Sequence, residues 1–241
     1  MNRDSNAYTF IFAAIMVVIV ATTLAFAATS LKPRQDENVR IEKMQNILST
    51  IGIEASKEEA QETYEKYITE ELALDNNGEI VVEGEEAFKI DLAKEVKKDE
   101  EQQRFPLYVA DIEGKKYYVI PLRGAGLWDA IWGYIALEND VSTVKGAVFD
   151  HKGETPGLGA EITQAWFQER FENEKIYDTS GNFVGVTVQK GYSGGNDKDD
   201  NAVDAISGAT ITGDGVTAMI KDRLEYYLSY LKEQNSKVAL K

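Results

Sequence analysis

The chain has 241 residues, 43% of them hydrophobic, and is therefore long enough for one or two domains with a substantial core. It contains no cysteine and one histidine, His151, which excludes disulfides, thiolate metal sites, cysteine-ligated clusters and any site that needs several histidines. With 26 basic and 41 acidic residues the net charge is -15, which argues against nucleic-acid binding, because phosphate contacts require clustered Lys and Arg.

The N-terminal segment is a candidate membrane anchor. No charged residue occurs between Asp4 and Lys32, and the apolar residues 8–28 match a bilayer core, which a helix of about 20 residues crosses. We therefore expect residues 1–34 to form a transmembrane anchor in contact with the lipid bilayer. A cleaved signal peptide is the main alternative, because residues 25–27 read Ala-Phe-Ala, and a buried soluble helix is another. The Lys and Arg count around the span weakly favours a cytoplasmic C-terminal part.

Residues 35–104 are predicted to form a helical, charged membrane-proximal region. Apolar residues recur there at helical spacing. After a first helix, a second is expected from Ser56 to about Leu74, where a capping-box pattern starts it. A short strand over Ile80–Val82 and a solvated helix or loop over 89–104 should follow. This region carries no recognisable chemistry.

A mixed α/β domain is predicted for residues 105–241. The expected strands are residues 106–112, 116–122, 132–138, 144–150 and 183–190. Helices are expected over 160–171 and over 216–234, the second with a clear apolar face. The predicted fold class is therefore α/β, a mixed α+β sheet domain, with one N-terminal transmembrane helix.

Two glycine-containing segments carry the candidate chemistry. Glu154–Gly159 reads ETPGLG and can bring backbone amides and Leu158 close to a flat ligand. Asp204–Thr210 reads DAISGAT and leaves the Thr210 hydroxyl open among small residues. Taken alone, each segment could equally be a tight turn. The second would then precede a helix that begins near Val216 and is capped by Thr212 or Asp214, a natural place for a phosphate.

These segments resemble motifs of a known family. Residues 204–210 resemble the D-x-x-(S/T)-G-A-T motif at which flavin transferases attach FMN to threonine. Residues 154–159 resemble the ETPGLG loop of FMN-binding domains, and residues 123–134 resemble their G-x-G-L-W segment. In this order behind one N-terminal span, they resemble the C-subunit family of the Na+-translocating NADH:quinone reductase, which is related to the G subunit of the Rnf complex.

The resemblance implies a phosphoester bond between FMN and Thr210, with Thr212 as the near alternative, and implies that the flavin transferase reads Asp204. The further FMN-binding residues that it implies are Trp128, Glu154, Thr155, Gly157, Leu158, Gly159, Ser207, Gly208 and Ala209. It implies a one-electron relay without metal or complete active site, working with the other subunits of the reductase. The location implied is the cell inner membrane, with a single pass and the soluble domain in the periplasm. We prefer this orientation to the charge count, because the motif must meet its transferase.

Three other functions stay open at this stage. The first is an electron-transfer component of an Rnf complex, similar to its G subunit, and the second is a membrane-anchored binding module without a redox role. The third is a hydrolase that uses Ser207 or Thr210 with His151 as base. A calcium loop is not expected at Asp197–Gly208, because alanine and glycine stand where such a loop needs glycine and glutamate.

Overall fold

The computed structural model describes residues 5–195 and 197–239, with side chains described as far as residue 236. The chain contains two compact units, Met1–Lys43 and Met44–Lys241. The described part combines helices with antiparallel sheet, which confirms the predicted mixed α/β class with a long apolar N-terminal helix.

Helix α1 runs from Asn6 to Thr50. Its apolar window is long and hydrophobic enough to cross a membrane, and none of that window is buried inside the protein. Large side chains such as Phe10 and Phe26 are about three-quarters exposed. An apolar surface of this extent is stable only in apolar surroundings. By length and composition, the helix is therefore the candidate membrane span that the sequence predicts over residues 8–28.

Six antiparallel strands form the main sheet. Their bounds are β1 Ile68–Leu74, β2 Ile80–Glu83, β3 Phe105–Ile112, β4 Lys115–Ala125, β5 Ala130–Leu137 and β6 Val144–His151. The strand order is β2-β1-β3-β4-β5-β6. Because β1 pairs with β3, the sheet runs across the boundary that the sequence analysis places between residues 104 and 105.

The remaining elements are short helices and a small second sheet. The α-helices are α2 Ala60–Tyr67, α3 Glu85–Phe88, α4 Leu92–Glu95, α5 Ala165–Gln168, α6 Thr210–Leu224 and α7 Leu228–Ala239. Segments of 3-10 helix occupy Glu100–Gln102, Gly159–Thr163, Glu169–Phe171 and Glu225–Tyr227. Strands β7 Thr187–Gln189 and β8 Ala202–Asp204 pair in parallel.

The main sheet carries a core on each face. Successive side chains of a strand point to opposite faces, and β3 shows the consequence. Leu107 and Val109 belong to the larger core, which α6 and the start of α7 complete. Tyr108 and Ala110 belong to a second core, which the end of α1, α2 and α3 complete. Burial on both faces makes the sheet a rigid support for the loops at its edges.

The second predicted helix is wrong at both ends, since α2 begins at Ala60 after an N-cap at Glu59 rather than at Ser56. A helix was expected from Ser56 to Leu74, but α2 ends at Tyr67 and the chain continues as β1. Leu72 in β1 is buried and lies opposite Leu107 in β3. Pairing with a strand more than 30 residues later in the sequence overrides the local helical preference, which is only a weak determinant of structure.

The C-terminal helix begins earlier than its amphipathic pattern predicts. It starts at Thr210 rather than near Val216, and Thr212 and Asp214 lie inside it rather than capping it. The predicted strand over 183–190 is reduced to β7.

Two glycines explain the missed start of α6. Gly213 and Gly215 lower helix propensity and make the segment look like a turn. In the structure they allow close packing, because a Cβ at Gly213 would lie 3.0 Å from Val188 and one at Gly215 would overlap the carbonyl oxygen of Ala125. The two glycines therefore allow α6 to pack closely against β7 and the end of β4.

The helix predicted over residues 160–171 is broken into α5 between two 3-10 segments. Phe167 and Phe171 both pack against Phe149 in β6, with ring centroids 6.1 Å and 5.0 Å away. These buried aromatic contacts hold the short turns against the sheet.

Candidate functional site

An open cleft of about 200 Å³ lies between the loop after β6 and the first turn of α6. Its lining residues are Leu127, Glu154, Thr155, Leu158, Gly159, Gly208, Ala209, Thr210, Ile211 and Thr212. The structure thus brings together the ETPGLG loop, the DAISGAT segment and part of the G-x-G-L-W segment, which are far apart in the sequence.

The DAISGAT segment ends in a helix start that has no side-chain cap. Thr210 is exposed and is the first residue of α6, and Ala209 occupies the N-cap position without a capping hydrogen bond. Gly208 makes the turn before it with a φ of +78°, a conformation that favours glycine. The first N–H groups of a helix lack partners within it, and alanine has no oxygen to accept them. This helix start can therefore accept an anion such as a phosphate.

The Glu154 carboxylate connects three parts of the cleft. One oxygen accepts a hydrogen bond from the Thr212 hydroxyl at 2.6 Å, and the other accepts one from the Trp128 backbone N–H at 2.9 Å. Glu154 and Thr212 are 4% and 1% exposed. Burial acts to raise the pKa of Glu154, but the Thr212 hydroxyl and the backbone N–H groups of residues 127–129 together lower it below its ordinary value. The carboxylate is therefore held in its ionised form.

Two glycines make the space that this carboxylate occupies. A Cβ at Gly126 would lie 2.6 Å from Glu154 Oε1, and a Cβ at Gly159 would lie 2.5 Å from Thr212 Oγ1. Neither position has a positive φ, so close approach rather than backbone conformation explains the glycine. The two motif segments thus provide room for one buried, hydrogen-bonded carboxylate.

An apolar rim surrounds the mouth of the cleft. Leu127, Leu158 and Ile211 are between 40% and 57% exposed, and Trp128 beside them is 68% exposed. The Trp128 indole N–H donates to the Thr155 hydroxyl at 3.2 Å. Large apolar side chains left exposed around a polar floor are typical of a binding surface, here one that suits the face of an aromatic ring.

Not every residue implied by the resemblance lies in the cleft. Among the described residues, Gly157, Ser207 and Trp128 are close in sequence to lining residues but do not line it themselves. Asp204 ends β8 and is exposed. Arg170 donates to its backbone oxygen at 2.6 Å and lies 3.7 Å from its carboxylate. Asp204 is therefore presented on the surface, as recognition by another protein requires.

Two lining residues were missed by the sequence analysis, Leu127 and Ile211. Both were adjacent to residues already singled out, Leu127 within the G-x-G-L-W segment and Ile211 directly after Thr210. Each is an isolated apolar residue, Leu127 in a polar loop and Ile211 at the start of a helix. This pattern could have indicated that they line a binding site.

The hydrolase alternative gains no support. His151 does not line the cleft, and its Nδ1 accepts a hydrogen bond from the Glu154 backbone N–H at 3.1 Å. Over residues 5–195 and 197–239, no group of three or more histidine or acidic side chains is arranged to hold a metal ion.

Comparison with known proteins connects this cleft to a family. Residues 126–225, which include the cleft, match the FMN-binding domain model. The C subunit of the Na+-translocating NADH-quinone reductase from Haemophilus ducreyi is 32% identical over 91% of this chain and 90% of its own. Such a relative, aligned over nearly the full length of both chains, is sufficient to assign the family.

Solved structures agree with that relationship. The crystal structure of the C subunit of the Na+-translocating NADH-quinone reductase from Parabacteroides distasonis is 40% identical, covers 83% of this chain and 96% of its own, and superposes with a TM-score of 0.75. The crystal structure of Shewanella oneidensis NqrC, 24% identical over 82% of this chain and 98% of its own, has a TM-score of 0.70 and shows the same fold. The chain therefore belongs to the C-subunit (NqrC) family of the Na+-translocating NADH-quinone reductase, an oxidoreductase complex.

Proposed function

We propose that this chain is a membrane-anchored flavoprotein subunit that relays single electrons through FMN joined to Thr210 by a phosphoester bond. The observation that carries the proposal is the exposed Thr210 hydroxyl at an uncapped helix start, beside a cleft with an apolar rim. The helix start suits the phosphate and the rim suits the flavin ring, so the residues present fit this cofactor.

The contrast between two threonines supports Thr210 as the acceptor. Thr210 is exposed, whereas Thr212 is 1% exposed and its hydroxyl is bound to Glu154. A transferase that carries its own flavin substrate must reach the acceptor oxygen from outside. Thr212 is almost fully buried and its hydroxyl is already bound, so this alternative is disfavoured.

The attachment reaction balances with FAD as the flavin donor. A bond forms between Thr210 Oγ and the phosphorus of the FMN half, and the phosphoanhydride bond to the AMP half breaks. AMP leaves with the electron pair of that bond, and the hydroxyl proton passes to a base on the flavin transferase. No electron is gained or lost in the step. Asp204, exposed six residues before the acceptor, is the residue that we assign to recognition by the transferase.

The residues of this chain would bind and orient the flavin rather than react. FMN supplies redox chemistry that protein side chains lack. Leu158 and Leu127 would cover part of the ring, and the N–H groups at the start of α6 would face the phosphate. The cleft is smaller than the roughly 300–1000 Å³ of sites that enclose a whole ligand. Part of the flavin would therefore stay accessible to a partner, as electron transfer between subunits requires.

The family supports a proposal for the partners and the location. We assign the chain to a complex with the other subunits of the NADH-quinone reductase, held in the cell inner membrane by the apolar part of α1. The soluble part would face the periplasm, where it would meet the flavin transferase. The membrane contact is supported by the exposed apolar surface of the helix.

Peptide mass mapping of protein purified from its native membrane tests the proposal. We expect one FMN per chain, retained after denaturation, on the peptide that contains Thr210. Protease protection in oriented membrane vesicles tests the orientation. Natively produced protein with an unmodified mass and no flavin absorbance would refute the proposed function.

A further inference from the structure

A buried hydrogen bond holds the first turn of α6, and its effect on the position of Thr210 is not part of the proposed function. The Thr212 hydroxyl donates to Glu154 at 2.6 Å across 58 residues of sequence. Both side chains are almost fully buried. Both residues line the cleft, but their polar atoms bind each other and little of either side chain is exposed, so ligand binding alone does not explain the contact.

The second oxygen of the Glu154 carboxylate is hydrogen-bonded to a separate loop. Its Oε1 accepts from the Trp128 N–H, and the neighbouring N–H groups of residues 127–129 also contribute to its lowered pKa. One ionised carboxylate therefore ties the beginning of α6 to the loop that carries the exposed side chains of Leu127 and Trp128. A rigid support of this kind holds a reacting group in place at little entropic cost when the reaction occurs.

We propose that Glu154 and Thr212 are a positioning pair for flavin attachment. They hold the first turn of α6 so that the Thr210 hydroxyl and the free N–H groups face the cleft, and they withhold Thr212 from the transferase. The inference rests on the proposed function, since it concerns the same attachment reaction. It assigns the two residues no contact with the transferred phosphate; they act through the position of Thr210.

Three variants of the full-length chain test the pair. Thr212→Val keeps the side-chain volume and removes the donor, Thr212→Ser keeps the donor, and Glu154→Gln removes the charge. The matched control is Thr50→Val, because Thr50 is also 1% exposed and its hydroxyl also donates at 2.6 Å, to the Ile47 carbonyl in α1. Each protein is incubated with FAD and a flavin transferase that modifies the unaltered chain. Attached flavin is followed by in-gel fluorescence, and its position by peptide mapping.

We expect Thr212→Val and Glu154→Gln to lower kcat for flavin attachment by about tenfold, equivalent to about 1.4 kcal/mol, with little change in KM for FAD. Thr212→Ser should restore most of the rate, and Thr50→Val should leave it unchanged. Circular dichroism and the unfolding midpoint are measured for every variant. A rate loss that follows the loss of stability, with Thr50→Val slowed as much, would overturn the pair as a positioning device.

The failure of this inference is distinguishable from that of the proposed function. If the unaltered chain accepts flavin on Thr210 and Thr212→Val accepts it at the same rate, the positioning pair is refuted and the attachment site stands. If the unaltered chain accepts no flavin, the proposed function is refuted. Flavin found on Thr212 of the unaltered chain would refute both, because that hydroxyl is the one that Glu154 is proposed to withhold.

Discussion

Replacement of Gly126 by alanine should destabilise the protein mainly by displacing the Glu154 carboxylate, and the new Cβ would also lie 3.0 Å from Ile131 Cγ2. Gly126 does not have a positive φ, so its backbone can accommodate alanine. The new Cβ would lie 2.6 Å from Glu154 Oε1 and 2.9 Å from its Cδ. The carboxylate must therefore move away from the Trp128 N–H and the Thr212 hydroxyl, which it currently binds.

The magnitude follows from two costs. Overpacking of a tight site costs about 1–3 kcal/mol, and loss of one hydrogen bond to a charged group costs about 1.5–3 kcal/mol. We expect the free energy of unfolding to fall by about 3 kcal/mol in total, since the carboxylate can retain part of its hydrogen bonding after it moves. For a unit of about 200 residues, this corresponds to a fall in Tm of about 6–12 °C.

The matched control is Gly153→Ala in the same loop as Glu154. A Cβ at Gly153 would meet no atom within 4 Å, and its φ is not positive. Its free energy of unfolding should change by less than about 0.5 kcal/mol. The assay is urea unfolding of the full-length chain in detergent, followed by near-ultraviolet circular dichroism. Equal stability of the two variants would refute the tight packing around Glu154 on which the site description depends.

Three further outcomes are expected. Thr210→Ala should lose all covalent flavin without loss of fold, as seen by mass and circular dichroism, and flavin that persists on Thr212 would contradict the site. Because the pKa of Glu154 is lowered in the folded state, its ionisation stabilises the fold at pH values above the ordinary 4.5, and this contribution is lost as the pH falls below 4.5 through the lowered value. In the unaltered chain the urea midpoint should therefore decrease as the pH falls below 4.5, and Glu154→Gln should weaken this decrease. A pH dependence that is the same in both proteins would contradict the hydrogen-bonded carboxylate. Asp204→Ala should raise the KM of the flavin transferase for this chain. Arg170→Lys keeps the positive charge beside Asp204 and should raise that KM less. Equal increases in KM would indicate that Asp204 has only a structural role.

Much of the lining of the candidate cleft could be predicted from sequence, because local motifs provide it. A small-residue segment that ends in Thr210 and a loop with glycines on both sides of Leu158 are visible in the sequence, and both line the cleft. Their meeting was not predictable from periodicity, since the contact between Glu154 and Thr212 joins residues 58 positions apart. Local patterns indicate which functional side chains a segment carries, but they do not predict which distant side chains will contact them.

At the level of sequence, only the resemblance separates the two threonines, because Thr212 lies outside the A-T position of the motif. Thr210 and Thr212 have the same chemistry and the same neighbours in small residues. Their environments differ because α6 begins at Thr210, which turns one side chain outward and the other into the core. The helix start depends on the packing of Gly213 and Gly215 against other strands, and no local rule for helix capping anticipates it.

Local patterns were sufficient to predict the apolar N-terminal helix, the strands β3 to β6 and the family motifs, because apolar length, two-residue alternation and short glycine patterns are properties of neighbouring residues. Three other features depend on the folded chain: residues 68–74 form a strand, α6 starts at Thr210, and Glu154 lies beneath that start. In each of these cases contacts between distant segments outweigh local preferences of about 1 kcal/mol or less per residue.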